Sequence, residues 1–432
     1  MQQPGQIQCR IAPARSRFLS TLLLFASAFA AAVCATSSVQ AQTYTVLYTF
    51  QGETDGAYPE GELVFDKLGN LYGTTAQGGA VSQGGAVFKL DPSGNETVVH
   101  DFGPVAGDGA DPMGKIARVG GNTYGTTNGG GELGGTVCNF NQCGTVYEIS
   151  GGREKVLYTF NGSGQYSGPV GGLISDDAGN LYGVSPQSDS GCQGQGKDCG
   201  IVFKVSQGQV TTIFTFGEPP DGSAPRSALV IDRAGNLYGT TGQGGTLGWG
   251  TVFELSPNSD GTWSEQILYS FRGLSNGGDG AIPNALAIDF NGNLYGTTQW
   301  GGHSLKTNIC GEGCGVVFKL KHNANGTWSE RVIHKFGLTA DDGQSPGGAL
   351  LFDKYGHFYG VTSAGGTTAK GIVYRMDASG TETILHTFTG GSDGGTPAAG
   401  LTLDAAGNLY GTAGTGGLSS SGGFGTVFKI TQ

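Results

Sequence analysis

Charge is scarce in this chain. Asp, Glu, Lys and Arg make up 13% of the 432 residues, and the basic ones are the minority, 23 against 34 acidic. A chain with so few cations lacks the basic surface that nucleic acid or anionic lipid requires, so neither is expected as a partner. Long apolar runs are lacking too. Residues 18–35 form one; no second run is long enough to span a bilayer. No Gly-x-Ser-x-Gly elbow and no His-Glu-x-x-His helix occurs, which removes the usual signatures of an α/β-hydrolase and of a zinc protease.

The one apolar run follows Arg10, Arg15 and Arg17 and ends at Val39-Gln40-Ala41, an acceptable small-residue cleavage site. Residues 1–41 are therefore predicted to be a signal peptide, with a retained membrane anchor as the alternative. Cleavage leaves 20 Lys and Arg against 34 Asp and Glu, about −14, as suits solubility in an exported protein.

What the chain has in quantity is glycine, 83 residues with no Gly-X-Y period, which indicates turn-rich β structure. It also has a repeat. LVFDKLGNLYGTT at residues 63–75 returns as LISDDAGNLYGVS, LVIDRAGNLYGTT, LAIDFNGNLYGTT, LLFDKYGHFYGVT and LTLDAAGNLYGTA. A weaker copy, IARVGGNTYGTT, makes seven. Asn70 recurs at Asn122, Asn180, Asn236, Asn293, His357 and Asn408, a period of 51 to 64 residues, which means a solenoid or a propeller.

Each repeat divides into four short strands bounded by Gly, Pro, Asp and Asn. In the first turn, Asp-x-x-Gly-Asn, the Asp can cap backbone N–H groups and the Gly supplies a positive φ. Asp66, Asp176, Asp232, Asp289, Asp353 and Asp404 are read as this folding device rather than as catalytic acids. LVFD, NLYG, TVFKL and VLYTF are apolar on both faces, as strands are when blades stack. The fourth strand ends in an aromatic pair whose first member becomes histidine at His100, His334 and His386. These histidines are read as core or blade-interface residues rather than metal ligands.

The last repeat stops after its third strand, GTVFKI, while residues 44–50, YTVLYTF, supply a spare fourth strand. The expected fold is an all-β, seven-bladed β-propeller over residues 42–432, closed by an N-terminal strand that completes the last blade. An open β-solenoid is the alternative. Between repeats lies Asp-Gly-x-x-Pro, beginning at Asp55, Asp108, Asp221, Asp279, Asp342 and Asp393; the third linker keeps only Pro169. Asp-Gly turns the chain and Pro stiffens entry to the next strand.

After cleavage six cysteines remain as Cys138 and Cys143, Cys192 and Cys199, Cys310 and Cys314, each pair in a loop between second and third strands. Four repeats have neither member. In an exported chain this predicts three local disulfides, with a metal site as the weaker alternative. Antiparallel order puts these loops and the linkers on one face, with Trp249, Trp300, His303 and Lys306. That face is the expected ligand-binding surface. No cofactor is expected, although a ring of linker Asp residues would offer oxygen ligands to Ca²⁺.

The unit GNLYGTT, GTVFKL, VLYTF and DG..P, covering residues 44–432, resembles the Gloeobacter/Verrucomicrobia tandem repeat of the choice-of-anchor "GloVer" proteins. The resemblance implies export, often with a C-terminal surface anchor, and no established activity. This chain ends at Gln432 without a sorting tail, so a released or periplasmic monomer is expected. The functional expectation is a non-catalytic binding or surface-interaction module for polysaccharide or protein. The alternative is an extracellular lyase or hydrolase acting on polysaccharide.

Overall fold

The computed structural model describes residues 42–432 except 81–82, 104–106, 134, 139–142, 162–167, 187–198, 218–219, 274–277, 303–309, 311–312 and 419–421. The predicted signal peptide lies outside the described residues, and the chain divides at this point into Met1–Gln40 and Ala41–Gln432. Seven antiparallel sheets, each built on four strands in meander order, form a seven-bladed β-propeller with no helix among the described residues. The first blade is Val64–Phe65, Leu71–Gln77, Ala86–Leu90 and Glu96–Asp101; Ala57–Pro59 of its entry linker also pairs with the second strand. The seventh is Thr402–Leu403, Leu409–Ala413, Thr426–Thr431 and, from the other end of the chain, Thr43–Thr49. The closing strand thus forms as the sequence predicts.

Inner strands are the shortest of the four in five blades, where they span two or three residues, and run longer only at Ala281–Ile288 and Gly343–Phe352. Each has a single neighbour in its own sheet, and the linker proline ahead of it cannot donate a ladder hydrogen bond.

The repeated turn works through its Asp. Asp66 Oδ1 accepts from the N–H groups of Leu68 and Asn70, and Oδ2 accepts from Asn70 Nδ2 at 2.7 Å. Asn therefore recurs because its amide closes the cap, and His357 replaces it with Nδ1 3.0 Å from Asp353. The Asp-Gly-Thr-Trp stretch at 260–263 is a hairpin turn, with Gly261 donating to the Asn258 carbonyl.

Second and third strands are buried on both faces. In every blade an aromatic ring of the third strand covers the glycine of Tyr-Gly or Phe-Tyr-Gly in the second. A Cβ on Gly73 would lie 2.6 Å from Phe88 Cζ, and one on Gly239 2.5 Å from Phe253 Cζ. The same ring meets the last Phe of the preceding blade's fourth strand, edge to face or tilted. Phe50–Phe88, Phe216–Phe253 and Phe271–Phe318 have centroids 5.0 to 5.1 Å apart. Such pairs add about 0.5–1.5 kcal/mol beyond area burial.

Two further contacts seal the seams between blades. The first sets the glycine that opens a third strand against the linker proline of the next blade. A Cβ on Gly250 (φ +98°) would stand 2.3 Å from the Thr241 carbonyl oxygen and 2.8 Å from Pro283 Cδ. The second is a carboxyl pair. The linker Asp caps the loop after its own fourth strand and faces a Glu at the start of the next one. The pairs are Asp55 with Glu96, Asp108 with Glu154, Asp221 with Glu265, Asp279 with Glu330 and Asp342 with Glu382. Between the second and third blades the linker has no Asp, and Val210 stands where the Glu would be. Both carboxyls are lost together, as expected of partners.

Burial, then the Asp neighbour, pushes Glu96 and Glu330 up to about 7 and Glu265 to about 8. At the Glu330 seam the facing groups are Asp279, Arg272 and Tyr269; at Glu96 they include Asp55, and at Glu265, Asp221. With an unfolded value of 4.5, the folded protein keeps protons that the unfolded chain has released. The stability these groups contribute is complete below pH 4.5 and is lost as pH rises through 7 to 8. The unfolding midpoint is therefore expected to fall from about pH 5 to about pH 9, and the variant Glu96→Gln/Glu265→Gln/Glu330→Gln to flatten that slope. A midpoint rising with pH would contradict the assignment. Gly250→Ala is expected to cost roughly 1–3 kcal/mol in denaturant unfolding, more than Gly261→Ala, whose φ is also positive but whose Cβ meets nothing within 4 Å.

Candidate functional site

Two faces are open to a ligand. The linker face carries the residues singled out from sequence. The Trp249 ring lies over Gly273, where a Cβ would be 2.4 Å from its Cδ1, and its carbonyl accepts from Ile282 N–H at 3.2 Å. Cys199, Cys314, Lys370 and Phe424 occupy the equivalent place, each with its carbonyl bound by the next blade's linker. Trp249 is thus half-buried packing at a loop neck. Trp300, also half-buried, pairs with Ala281, and its carbonyl accepts from the Thr298 hydroxyl. His303 and Lys306 lie outside the described residues. Disulfides join Cys138 to Cys143 and Cys310 to Cys314. Cys199 is disulfide-bonded, and its expected partner Cys192 lies outside the described residues. Such bonds are those of a chain folded in an oxidising environment.

Near the axis the same face holds a carboxyl pair. Burial, then Asp111, pushes Glu60 up to about 7. At the position before the buried leucine or isoleucine that leads into each inner strand stand Glu62, Lys115, Gly172, Ala228, Ala285, Ala349 and Gly400. Lys115 Nζ donates to Glu62 Oε1, so the charged members of this ring neutralise each other. The linker Asp residues do not converge on the axis. Each is engaged in its own seam, as where Asp55 accepts from Gln51 and Gly52 N–H and Tyr48 OH.

The opposite face, made by the first turns of the blades, holds the groove. A cavity of about 790 Å³ runs across the fourth to sixth blades, lined by Arg233, Asp289, Phe290, Asn291, Lys319 and Asp353 among others. A second of about 470 Å³ adjoins it through Phe352 and Asp353 and reaches Tyr355, Asp404 and Gln432. The turn geometry explains what lines them. The Asp carboxylate locks the turn from below, and the two variable residues point outward. Phe290 is 90% exposed and Tyr355 75%. Lys354 Nζ lies 5.1 Å from the Tyr355 ring centre, and Lys319 Nζ 4.7 Å from that of Tyr295. Burial opposes ionisation of Asp353 and Asp404, but hydrogen bonds from His357 and Asn408 more than offset it and hold both below the usual range. The groove therefore presents aromatic faces, carboxylates fixed by their turns and cationic side chains together. Sequence reading missed it because it treated these turns only as a folding device; the variability of the two residues inside an otherwise constant motif was the available signal.

Metal-ligating residue types come together elsewhere. His100, Asp108 and Glu154, and likewise His334, Asp342 and Glu382, bring one ligand-type atom each to within 4.8 Å of one another. The three histidines at this position are thus interface residues as expected, and two of them share their seam with a complete carboxyl pair.

Comparisons with known proteins give the following. No curated protein matches the sequence. Among solved structures, the chain is similar to a gluconolactonase of Xanthomonas campestris, with 13% identity, 90% of this chain and 89% of that one covered, and a TM-score of 0.44. It is similar to PorZ, a surface component of the type-IX secretion system of Porphyromonas gingivalis, at 15% identity, covering 87% and 46%, with a TM-score of 0.46. A Dyadobacter fermentans protein of unknown function matches at 12% identity, covering 91% and 100%, with a TM-score of 0.44. The profile of the Gloeobacter/Verrucomicrobia repeat matches residues 33–197, 139–310 and 307–432, and together with the sevenfold unit seen in the fold it shows that the chain belongs to this repeat family.

Proposed function

We propose that this propeller is an exported, monomeric binding module that holds a polysaccharide chain in the groove on its turn face. The observation that carries the reading is the exposure of Phe290 and Tyr355 beside that groove. A large aromatic ring left in water has a use when it meets a flat ligand with an apolar face and a polar edge. A sugar ring fits that description: its C–H face stacks on the aromatic and its hydroxyls reach carboxylates and ammonium groups. Asp289, Asn291 and Asp353 supply acceptors, and Arg233, Lys319 and Lys354 supply donors. The Asp oxygens are held by their turns, as a positioning role requires. Asp289 Oδ1 accepts from Asn291 and Asn293 N–H at 2.9 Å, and Oδ2 from Asn293 Nδ2.

Export accords with the predicted signal peptide and with the disulfides, and secretion or periplasmic residence follows from it. The test is calorimetric titration with soluble plant and microbial polysaccharide fragments, followed for cleavage by release of reducing ends. Binding of one glycan class without cleavage is expected. Phe290→Ala and Tyr355→Ala are each expected to weaken it about tenfold, equal to about 1.4 kcal/mol, with unchanged unfolding midpoints. Trp249→Ala is expected to lower stability instead, because it empties a loop neck. Binding unaffected by both turn-face variants would overturn the location. Capture of a protein partner, or cleavage of the glycan, would replace the reading with one of the alternatives.

A further inference from the structure

The seven seams are seven trials of one arrangement, and the aromatic slot of the fourth strand is where the six that keep the linker Asp differ most tellingly. Where the fourth strand offers tyrosine, its hydroxyl donates to the linker Asp, at 2.8 Å from Tyr48 to Asp55 and at 2.5 Å from Tyr269 to Asp279. Where it offers His386, the seam has Tyr44 in place of the Glu, and Nε2 lies 3.2 Å from Asp393 Oδ2. At two further seams histidine meets a full Asp–Glu pair, and the geometry changes. His100 Nε2 stands 3.5 Å from Asp108 Oδ1 and 3.7 Å from Glu154 Oε2, and His334 Nε2 stands 3.8 Å from Asp342 Oδ1. These distances exceed a hydrogen bond. They are close to the ~3.4 Å that separates two ligand atoms each ~2.1 Å from a tetrahedral zinc ion.

The orphaned atoms point the same way. His100 Nε2, Glu154 Oε1, His334 Nε2, Asp342 Oδ1 and Glu382 Oε1 are buried and make no hydrogen bond among the described residues; the Glu Oε1 is likewise without one at Glu96, Glu265 and Glu330, so the histidine nitrogens and Asp342 Oδ1 are what set these two seams apart. The Glu154 and Asp342 side chains are only 8% and 5% exposed. A buried carboxyl pair needs a shared proton or a compensating cation. At the Asp279–Glu330 seam Arg272 is one, its Nε donating to Asp279 Oδ2 at 2.9 Å. The residues at the place of Arg272 in the two histidine seams are Gly103 and Gly337.

We propose that the His100–Asp108–Glu154 and His334–Asp342–Glu382 trios each bind one divalent transition-metal ion, fastening the first blade to the second and the fifth to the sixth. One imidazole nitrogen and two carboxylates, with water completing a four-coordinate shell, match zinc; calcium prefers oxygen ligands alone. Each trio draws its His and Asp from one side of a seam and its Glu from the fourth strand on the other, so the ion holds together elements far apart in the chain. The role is structural and independent of the groove on the turn face.

The test uses the untagged purified chain, stripped with chelator and titrated with zinc chloride, with bound metal measured by mass spectrometry and unfolding followed thermally. Two ions per chain and a raised midpoint are expected. His100→Tyr and His334→Tyr are each expected to reduce uptake to one ion. The double variant is expected to take up none, with a midpoint indifferent to zinc. Tyrosine is the side chain this fold already uses at Tyr48 and Tyr269, so the variants should retain the propeller. Should they not fold, Glu154→Gln and Glu382→Gln remove one ligand each with little change of shape and carry the same expectation. His386→Tyr is expected to leave uptake at two. A parent chain that binds no zinc, or variants that bind as much as the parent, would overturn the assignment.

Discussion

The pairing of Thr43–Thr49 with Thr426–Thr431 is the contact on which the rest of the ring depends. It brings together strands nearly the whole chain apart, in register from Thr43 opposite Thr431 to Thr49 opposite Thr426. A bulge between Val46 and Tyr48 repeats the irregularity found between third and fourth strands in the other six blades. The closing strand is also fixed to the sixth blade. The Tyr44 ring stacks on His386 with centroids 3.7 Å apart, and its hydroxyl donates to the Asp393 carbonyl at 2.5 Å. Closure leaves no blade without a neighbour on both sides, and the seams on either side of the seventh blade exist on condition that the ends meet.

Given closure, the blades divide their residues by task. Positions that build a blade hardly vary: the Asp and Asn of the first turn, the glycine beneath the third-strand ring, the Phe that ends the fourth strand. Positions that join blades vary within narrow limits: Tyr, Phe or His beside the linker Asp, Glu or Tyr across from it. Positions that point away from both are free. The two residues after the turn Asp are of this last kind, and they put Leu68, Phe290 and Tyr355 into solvent. A fold secured by hydrogen bonds from one Asp can carry almost any side chain on the outside of the same turn. The outer side of these turns can therefore vary at little cost to stability.

Much of this was legible in the sequence. The spare strand before Gln51 and the missing one after Ile430 foretold closure. The turn Asp and the paired cysteines were read from local chemistry, which short-range spacing expresses well. The seams were not legible to the same degree, because Glu96 meets Asp55 and Glu154 meets Asp108 across a blade boundary, some forty residues apart. Read locally, Asp-Gly explains itself as a turn and the Glu as an outer-strand residue. The trace of their partnership was the third blade, where Val210 and an Asp-free linker appear together. The packing role of Trp249 was hidden for a related reason. Tryptophan is a strong cue for a binding surface, but Trp249 is required to cover Gly273, and only the three-dimensional neighbour reveals it.

Closure itself is tested most directly by removing the closing strand. Amide hydrogen exchange would be compared for the chain beginning at Gln42 and one beginning at Gln51, which leaves the seventh blade with three strands. If the ring is one cooperative unit held by this pairing, the shorter chain loses protection in the first and sixth blades as well as in Thr426–Thr431, and its unfolding broadens. Loss confined to Thr426–Thr431, with the other blades protected as before, would show that the seams hold without the closing strand and would contradict the account.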